Sequence, residues 1–256
     1  ELQKYNSQFQ GVRTISKLIS PALAGVLMLK FNINSIFFIN SASFLLLFLS
    51  ILISYIPEQE HKENGNDDIK EIFVGFKENF TNIKLRISLL FTIVVNIAML
   101  GFNATIIFYL QDQLKLSNSL VGIVYSIAGF GSLIAVTFLS TFLNKKDAFI
   151  LMNISMATIP LVIMASGIVE NWIFFGICYS ILSGLITIAS VSITTIQQQE
   201  STEYNIGKIL SSSFVIATIF APFGGILAAY FNWLLNPRLS LVILGLLSSL
   251  LVILIK

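Results

Sequence analysis

Long apolar runs with few polar interruptions dominate the hydrophobic pattern of this chain. Each run covers about 20 residues, the length that an α-helix needs to cross the hydrocarbon core of a bilayer. The apolar character is continuous and does not alternate, as it would in the strands of a membrane barrel. The pattern predicts eight transmembrane helices: Val12–Leu29, Ile33–Ile56, Ile87–Leu110, Leu120–Leu143, Phe149–Ile168, Trp172–Ile196, Ile209–Phe231 and Leu239–Ile255. We therefore expect an all-α membrane protein.

The segment between the second and third predicted spans, 57–86, is a long polar loop. Its first part, Glu58–Asp68, has no core-forming residues. In its second part, apolar residues recur at helical spacing while charged residues occupy the other face: Ile69, Ile72, Phe73, Phe76, Phe80 and Ile83 against Lys70, Glu71, Lys77, Glu78 and Lys84. This pattern predicts an amphipathic helix at the cytoplasmic membrane surface, with a peptide-binding or regulatory helix as the alternative.

The composition agrees with lipid as the surrounding solvent. Charged residues make up 11% of the chain and the mean hydropathy is +0.86, whereas soluble domains carry about 25% charged residues. A net charge of +2 gives no footprint for nucleic acid. Cys178 is the single cysteine and His61, the single histidine, lies in the polar loop. We therefore expect no disulfide, no metal site and no cofactor.

The distribution of lysine and arginine predicts the orientation of the spans. Eight spans place both termini on one side, and positive charge stays on the cytoplasmic side of a membrane. With the termini inside, twelve of the fifteen basic residues lie inside: Lys4, Arg13, Lys17, Lys62, Lys70, Lys77, Lys84, Arg86, Lys145, Lys146, Lys208 and Lys256. Lys30, Lys115 and Arg238 lie outside. Both termini are therefore predicted to be cytoplasmic.

A short pattern recurs about two hundred residues apart in the chain. The first predicted span contains Ile19-Ser-Pro21-Ala-Leu-Ala-Gly25-Val-Leu27, and the seventh contains Phe220-Ala-Pro222-Phe-Gly-Gly225-Ile-Leu227. Both spans run from inside to outside, as parallel repeats do in transporters with two like halves. If the last two spans correspond to the first two, spans three to six have no counterparts. We therefore expect four further helices before Glu1 and twelve helices in two six-helix halves.

Three stretches carry a resemblance to a known family. They are Tyr5-Asn-Ser-Gln8-Phe-Gln-Gly-Val-Arg13-Thr-Ile-Ser16-Lys-Leu-Ile-Ser20-Pro21-Ala-Leu-Ala-Gly25, Gly75-Phe-Lys-Glu-Asn-Phe-Thr-Asn-Ile-Lys-Leu85-Arg86 and Gln197-Gln-Gln-Glu-Ser-Thr-Glu-Tyr-Asn-Ile-Gly207-Lys208. With them the chain resembles the major facilitator superfamily, and within it the drug-efflux and siderophore-export branch that includes macrolide efflux proteins. The resemblance implies helices 5–12 of a 12-helix fold. Residues 1–56 would then end the N-terminal bundle, 57–86 would form the linker, and 87–256 would form the C-terminal bundle.

The resemblance also implies a motif of small residues around a proline. The family's antiporter motif corresponds here to Ser16, Ser20, Pro21, Ala24 and Gly25. Small residues let two helices approach closely, and proline bends a helix. A plain packing kink is the alternative.

Two basic residues lie at the cytoplasmic end of the first predicted span. Arg13 and Lys17 are four residues apart and can reach the membrane surface with their charged ends. We interpret them first as orientation anchors and second as a cytoplasmic gate.

Polar residues within two of the predicted spans are candidates for the substrate path, because polar groups in lipid tend to face the bundle interior or a water-filled cavity. The third span carries Asn96 and Asn103 seven residues apart, with Met99 between them. The sixth span carries Tyr179, Ser183 and Thr187 at helical spacing. Interhelical hydrogen bonding or plain packing is the alternative for both sets.

Together these features predict a secondary active transporter of the bacterial plasma membrane. The resemblance implies export of small amphipathic molecules, of the drug, macrolide or siderophore kind, by alternating access with a proton as the coupling ion. Asp112, Glu170 and Glu200 lie near span ends, so a proton-relay carboxylate is expected in the upstream helices. An importer of the same fold and a non-transporting membrane receptor or assembly subunit are the alternatives. An enzyme is not expected, because no nucleophile–base pair or metal-ligand set lies within the spans.

Overall fold

The computed structural model describes Ser16, Leu27, Phe31 and residues 33–53, 68–139, 147–202 and 204–255. These ranges contain eight α-helices: α1 (Ile33–Ile53), α2 (Asp68–Thr81), α3 (Ile83–Phe108), α4 (Asn118–Phe138), α5 (Ala148–Ile168), α6 (Trp172–Gln199), α7 (Ile206–Leu234) and α8 (Pro237–Ile255). A π-helical turn, Tyr109–Gln113, extends α3. Within the described ranges there is no strand, so the all-α prediction is confirmed.

Seven of the described helices, α1 and α3–α8, are long and apolar enough to cross a membrane. They coincide with the second to eighth predicted spans, while the first predicted span, Val12–Leu29, lies outside the described residues except for Ser16 and Leu27. The helices run past the apolar segments into polar sequence. For example, α3 begins at Ile83, inside the predicted linker 57–86, because Asn82 caps its first turn by accepting hydrogen bonds from the backbone amides of Lys84 and Leu85.

Helices α3–α8 pack into one bundle, and residues 34–53 of α1 have no buried side chain. In the bundle α3 packs on α7, α4 on α6, and α5 on both α6 and α8. Its core includes four large aromatic side chains that are almost completely buried: Phe91, Phe102, Tyr109 and Phe175. Because consecutive spans cross the membrane in opposite directions, the connections between them alternate between the two ends of the bundle. We call the end at Ile83, Gln199 and Ile206 the linker end, and the other the opposite end.

Two of the helix crossings in this bundle are so close that only glycine fits. A Cβ atom on Gly224 of α7 would lie 1.8 Å from the carbonyl oxygen of Ile97 in α3. A Cβ atom on Gly131 of α4 would lie 1.9 Å from the carbonyl oxygen of Ser180 in α6. In each crossing the glycine lets two backbones touch, which is how helices gain van der Waals contact in a membrane.

The same two crossings show that the bundle contains an internal repeat. One turn beyond each contacted carbonyl, a second glycine faces back: a Cβ on Gly101 would lie 2.9 Å from the Gly224 carbonyl oxygen, and a Cβ on Gly184 would lie 3.1 Å from that of Gly131. Thus α3 corresponds to α6 and α4 corresponds to α7. Because α3 and α6 cross the membrane in opposite directions, the pairs α3–α4 and α6–α7 are related as an inverted repeat.

Candidate functional site

The polar residues predicted on α3 lie along one side of that helix. Asn96 is half-buried, and its Nδ2 donates a hydrogen bond to the Thr92 carbonyl oxygen at 3.0 Å within the same helix. Asn103 is exposed, as are Leu100 and Ile107 on the neighbouring turns. This side of α3 is therefore mixed in polarity and is left uncovered by the other described helices. Met99, between the two asparagines, is half-buried against the bundle core.

Tyr179, predicted on α6, lies in a cluster of aromatic side chains. Its ring centroid is 5.1 Å from that of Phe102, 5.6 Å from that of Tyr125 and 6.5 Å from that of Phe175. Tyr179 is buried, and Phe102, whose ring it contacts, is the residue before Asn103 in the chain. Phe102 is buried whereas Asn103 is exposed, so among the described residues Tyr179 belongs to the core of the bundle and Asn103 to its surface.

The other two residues predicted on α6 bond within the helices around them. The Ser183 hydroxyl lies 2.6 Å from that of Ser132 and links α6 to α4. The Thr187 hydroxyl donates to the Ser183 carbonyl oxygen at 2.9 Å. Both contacts satisfy a hydroxyl that would otherwise be costly in a membrane.

Most of the predicted motif and gate residues lie outside the described part of the chain. These are Arg13, Lys17, Ser20, Pro21, Ala24 and Gly25. Ser16 is helical and exposed. The motif and the gate therefore stay predictions.

A buried asparagine at the linker end fixes α2 to α7, and it was missed in the sequence. Asn79 is completely buried. Its Nδ2 donates to the Gly75 carbonyl oxygen at 3.0 Å, to the Ile209 carbonyl oxygen at 3.1 Å and to the Ser212 hydroxyl at 2.8 Å. Its Oδ1 accepts a hydrogen bond from the Ser213 hydroxyl at 2.9 Å. All four bonds are made to groups of α2 and α7. Both the amide nitrogen and the amide oxygen of Asn79 therefore have partners within the contact between these helices.

The face of α2 that packs on α7 is small and polar, not apolar. A Cβ on Gly75 would lie 2.3 Å from the Lys208 carbonyl oxygen, so the glycine allows the two backbones to touch. Phe73 and Phe80, which belong to the predicted apolar face, are 63% and 51% exposed. The predicted helix is present, but its apolar face points away from the bundle. The sequence did carry one indication of this contact: Gly75 and Asn79, one turn apart, are uncharged residues on the otherwise charged face of α2.

Three further contacts tie the start of α3 and the end of α2 to the α6–α7 connection. The Lys84 ammonium lies 2.6 Å from Glu200 Oε1, and Asn82 Nδ2 donates to Glu200 Oε2 at 3.1 Å. Asn205 Nδ2 donates to Glu78 Oε1 at 2.9 Å. The hydrogen bond from Lys84, and then that from Asn82, hold the pKa of the Glu200 carboxyl below its ordinary value. The Glu200 contacts therefore contribute stability above the ordinary pKa and lose it as the pH falls through the lowered one.

A pocket of about 500 Å³ lies at the opposite end, between the π-helical turn, the end of α7 and the start of α8. It is lined by Ala104, Phe108, Asp112, Gln113, Ala229, Asn232, Trp233 and Pro237. Asn232 Nδ2 donates to the Thr105 hydroxyl at 3.3 Å, while its buried Oδ1 has no hydrogen-bond partner. None of these lining residues was among the predicted site residues, because Asp112 and Trp233 look like ordinary residues of a span end.

The fold and these sites define a multi-pass membrane protein whose bundle contains an inverted repeat and a polar face of mixed character. The sequence model of the Major Facilitator Superfamily matches residues 1–212. The chain therefore belongs to the Major Facilitator Superfamily, a family of membrane transporters. A comparison with curated proteins finds no match. The resemblance to the superfamily is thereby confirmed, while the efflux branch stays a prediction.

Proposed function

We propose that the protein is a secondary active transporter that exports small amphipathic molecules of the drug, macrolide or siderophore kind. The observation that carries this proposal is the uncovered side of α3. There the amides of Asn96 and Asn103 alternate with the apolar side chains of Leu100 and Ile107. A surface of this mixed character suits a ligand with both polar and apolar parts. Proton antiport, which completes the proposal, rests on the family resemblance.

Alternating access is supported by the stiffness of the α3–α8 bundle. Backbone-to-backbone contacts at Gly224 and Gly131 leave little room for the helices to slide or separate. A bundle of this kind moves as one body. Rigid-body rocking of one such bundle against another is the usual way in which repeat-built transporters expose a site to each side in turn.

We further propose that the linker end faces the cytoplasm of a bacterial cell. Basic residues of the described chain cluster at that end: Lys77, Lys84, Arg86 and Lys208. Lys115 and Arg238 lie at the opposite end. This distribution agrees with the rule that positive charge stays inside, and it supports cytoplasmic termini in a plasma membrane.

Replacing Asn96 or Asn103 with leucine is expected to reduce transport several-fold and to leave the amount of protein in the membrane nearly unchanged. The measurement is efflux of a panel of amphipathic dyes from cells that express the protein. Asn153→Leu in α5 is the matched control, because Asn153 is also a half-buried membrane asparagine that donates to its own helix, to the Phe149 carbonyl oxygen at 2.8 Å. Normal efflux by both α3 variants would show that this side serves packing only. Dye accumulation dependent on the protein would favour the importer, and no movement of any dye the receptor.

Single cysteines at the two ends of the bundle are expected to differ in their labelling from outside the cell. In a Cys178→Ser background, Asn118→Cys at the opposite end should react with an impermeant thiol reagent in intact cells. Thr202→Cys at the linker end should react only after the cells are opened. Both positions are exposed in the structure, so access from solvent does not differ between them. The reverse pattern would overturn the proposed orientation.

A further inference from the structure

The pocket at the opposite end combines an acidic group with exposed aromatic rings. Asp112 and Gln113 belong to the π-helical turn, and Phe108 lies four residues before Asp112, on the same side of the helix. Trp233, at the end of α7, is 81% exposed. A volume of about 500 Å³ is within the range that small-molecule sites occupy. The pocket therefore offers an apolar wall and a charged wall within reach of one small ligand.

The carboxylate of Asp112 has no positive partner in the described part of the chain. Arg238, at the start of α8, is already engaged: its guanidinium lies 2.7 Å from Glu170 and donates to the Ile168 carbonyl oxygen at 3.2 Å. Neither of the ion pairs formed among the described residues includes Asp112. The pocket therefore carries a negative charge that the described residues leave uncompensated.

A second feature of the pocket also favours a positively charged ligand. Asn232 lines the wall beside Trp233, and its Oδ1 is a buried acceptor without a donor. An unpaired amide oxygen is a centre of negative potential, and it belongs to a residue that lines the same pocket as Asp112. Indole and phenyl rings attract a cation placed over their faces, the indole ring most strongly. The Asp112 charge, the Asn232 amide dipole and the aromatic ring faces thus all favour a positively charged ligand.

We propose that this pocket is a binding site for small organic cations with an aromatic or other apolar body, such as quaternary ammonium compounds. The cationic group lies at Asp112, and the apolar body packs on Trp233 and Phe108. None of the lining residues belongs to the predicted substrate path, and the inference does not depend on export, on its direction or on the coupling ion. An alternative role for Trp233 is that of an aromatic residue at the lipid–water boundary, where tryptophan is enriched.

The protein contains two tryptophans, Trp172 and Trp233, so Trp172→Phe leaves Trp233 as the single reporter of the pocket. The probe is phenyltrimethylammonium, titrated into the purified protein in lipid nanodiscs while tryptophan emission is recorded. Benzenesulfonate has a similar ring with the opposite charge and serves as the ligand control. We expect a saturable change in emission with the cation and none with the anion.

Two matched variants separate the pocket from its surroundings. Asp112→Asn removes the uncompensated charge and is expected to weaken cation binding about tenfold or more, because the charge contact and the ring contacts then no longer act together. Glu200→Gln removes a carboxylate at the linker end of the bundle that is paired with Lys84 and does not line the pocket, and it leaves Arg238 engaged with Glu170, so binding should stay unchanged. Elution on size-exclusion chromatography confirms that both variants are folded.

Equal affinity of Asp112→Asn and the parent protein for the cation would overturn the proposal, as would saturable binding of benzenesulfonate. A linear, non-saturating change in emission would also overturn it and would place Trp233 at the lipid boundary. Because the readout is binding to purified protein, a failure of the export proposal would leave this result unaffected. A failure here would likewise leave the dye efflux experiment unaffected.

Discussion

Gly224→Ala is expected to lower the free energy of unfolding of the bundle by about 3 kcal/mol, at the upper end of what overpacking costs. The added methyl group would lie 1.8 Å from the Ile97 carbonyl oxygen and 2.7 Å from the carbonyl carbon of the same residue. Both are backbone atoms of α3 and cannot turn aside as a flexible side chain can. Relief therefore requires α3 and α7 to move apart, which breaks contacts along the whole crossing.

Denaturation of the detergent-solubilised protein by sodium dodecyl sulfate, followed by circular dichroism, measures this loss. Gly225→Ala is the control, since its Cβ would meet nothing closer than 3.8 Å, the Leu100 side chain. Gly131→Ala should resemble Gly224→Ala, because it closes the corresponding crossing of α4 with α6. Equal stability of the Gly224 and Gly225 variants would contradict the close crossing of α3 and α7.

Asn79→Leu is expected to release α2 from α7 and to cost about 2–4 kcal/mol at that contact. The change removes four hydrogen bonds and leaves the Ser213 hydroxyl, which bonds only to Asn79 among the described contacts, without a partner. Breaking a buried polar network by removing one member has a cost of this size. Once released, α2 lacks the packing that keeps a helix of 14 residues stable in water.

Hydrogen exchange with mass spectrometry measures this release directly. The backbone amides of 73–81 should exchange at least about tenfold faster in Asn79→Leu, as expected for a local opening of lower free energy. Thr81→Ala is the matched control on the same helix, because the exposed Thr81 hydroxyl donates only within α2. If both variants exchange like the parent protein, Asn79 does not hold α2 in place.

The spans could be predicted from the sequence because lipid requires each crossing segment to satisfy its own backbone. A run of about 20 apolar residues then has to be a helix, whatever it packs against. The ends of the helices could not be predicted as well from the apolar runs. The sixth span was predicted to end at Ile196, whereas α6 continues through three glutamines to Gln199. Hydropathy reports where the apolar environment ends, and the helix continues beyond it.

The packing of the spans could not be predicted, because an apolar residue is suited equally to lipid and to a helix contact. Phe102 is completely buried and Phe108, on the same helix, is 52% exposed, yet nothing in their chemistry distinguishes them. For the same reason the close helix crossings at Gly131 and Gly224 could not be predicted, because they depend on which backbone lies opposite each glycine. Asn79 was concealed in a different way: it lies among charged residues and looks like part of a water-facing surface.

The docking of α2 also sets the length of the tether between α1 and the bundle. If α2 were free, the covalent connection from Ile53 to the bundle would extend to Ile83. With α2 fixed through Asn79, the connection ends at Asp68, and only residues 54–67 join the two attachment points. A segment of this length spans at most about 50 Å whatever its conformation. The distance between Ile53 and Asp68 is therefore limited to about 50 Å. A larger separation of α1 from the bundle would require the Asn79 contact between α2 and α7 to break.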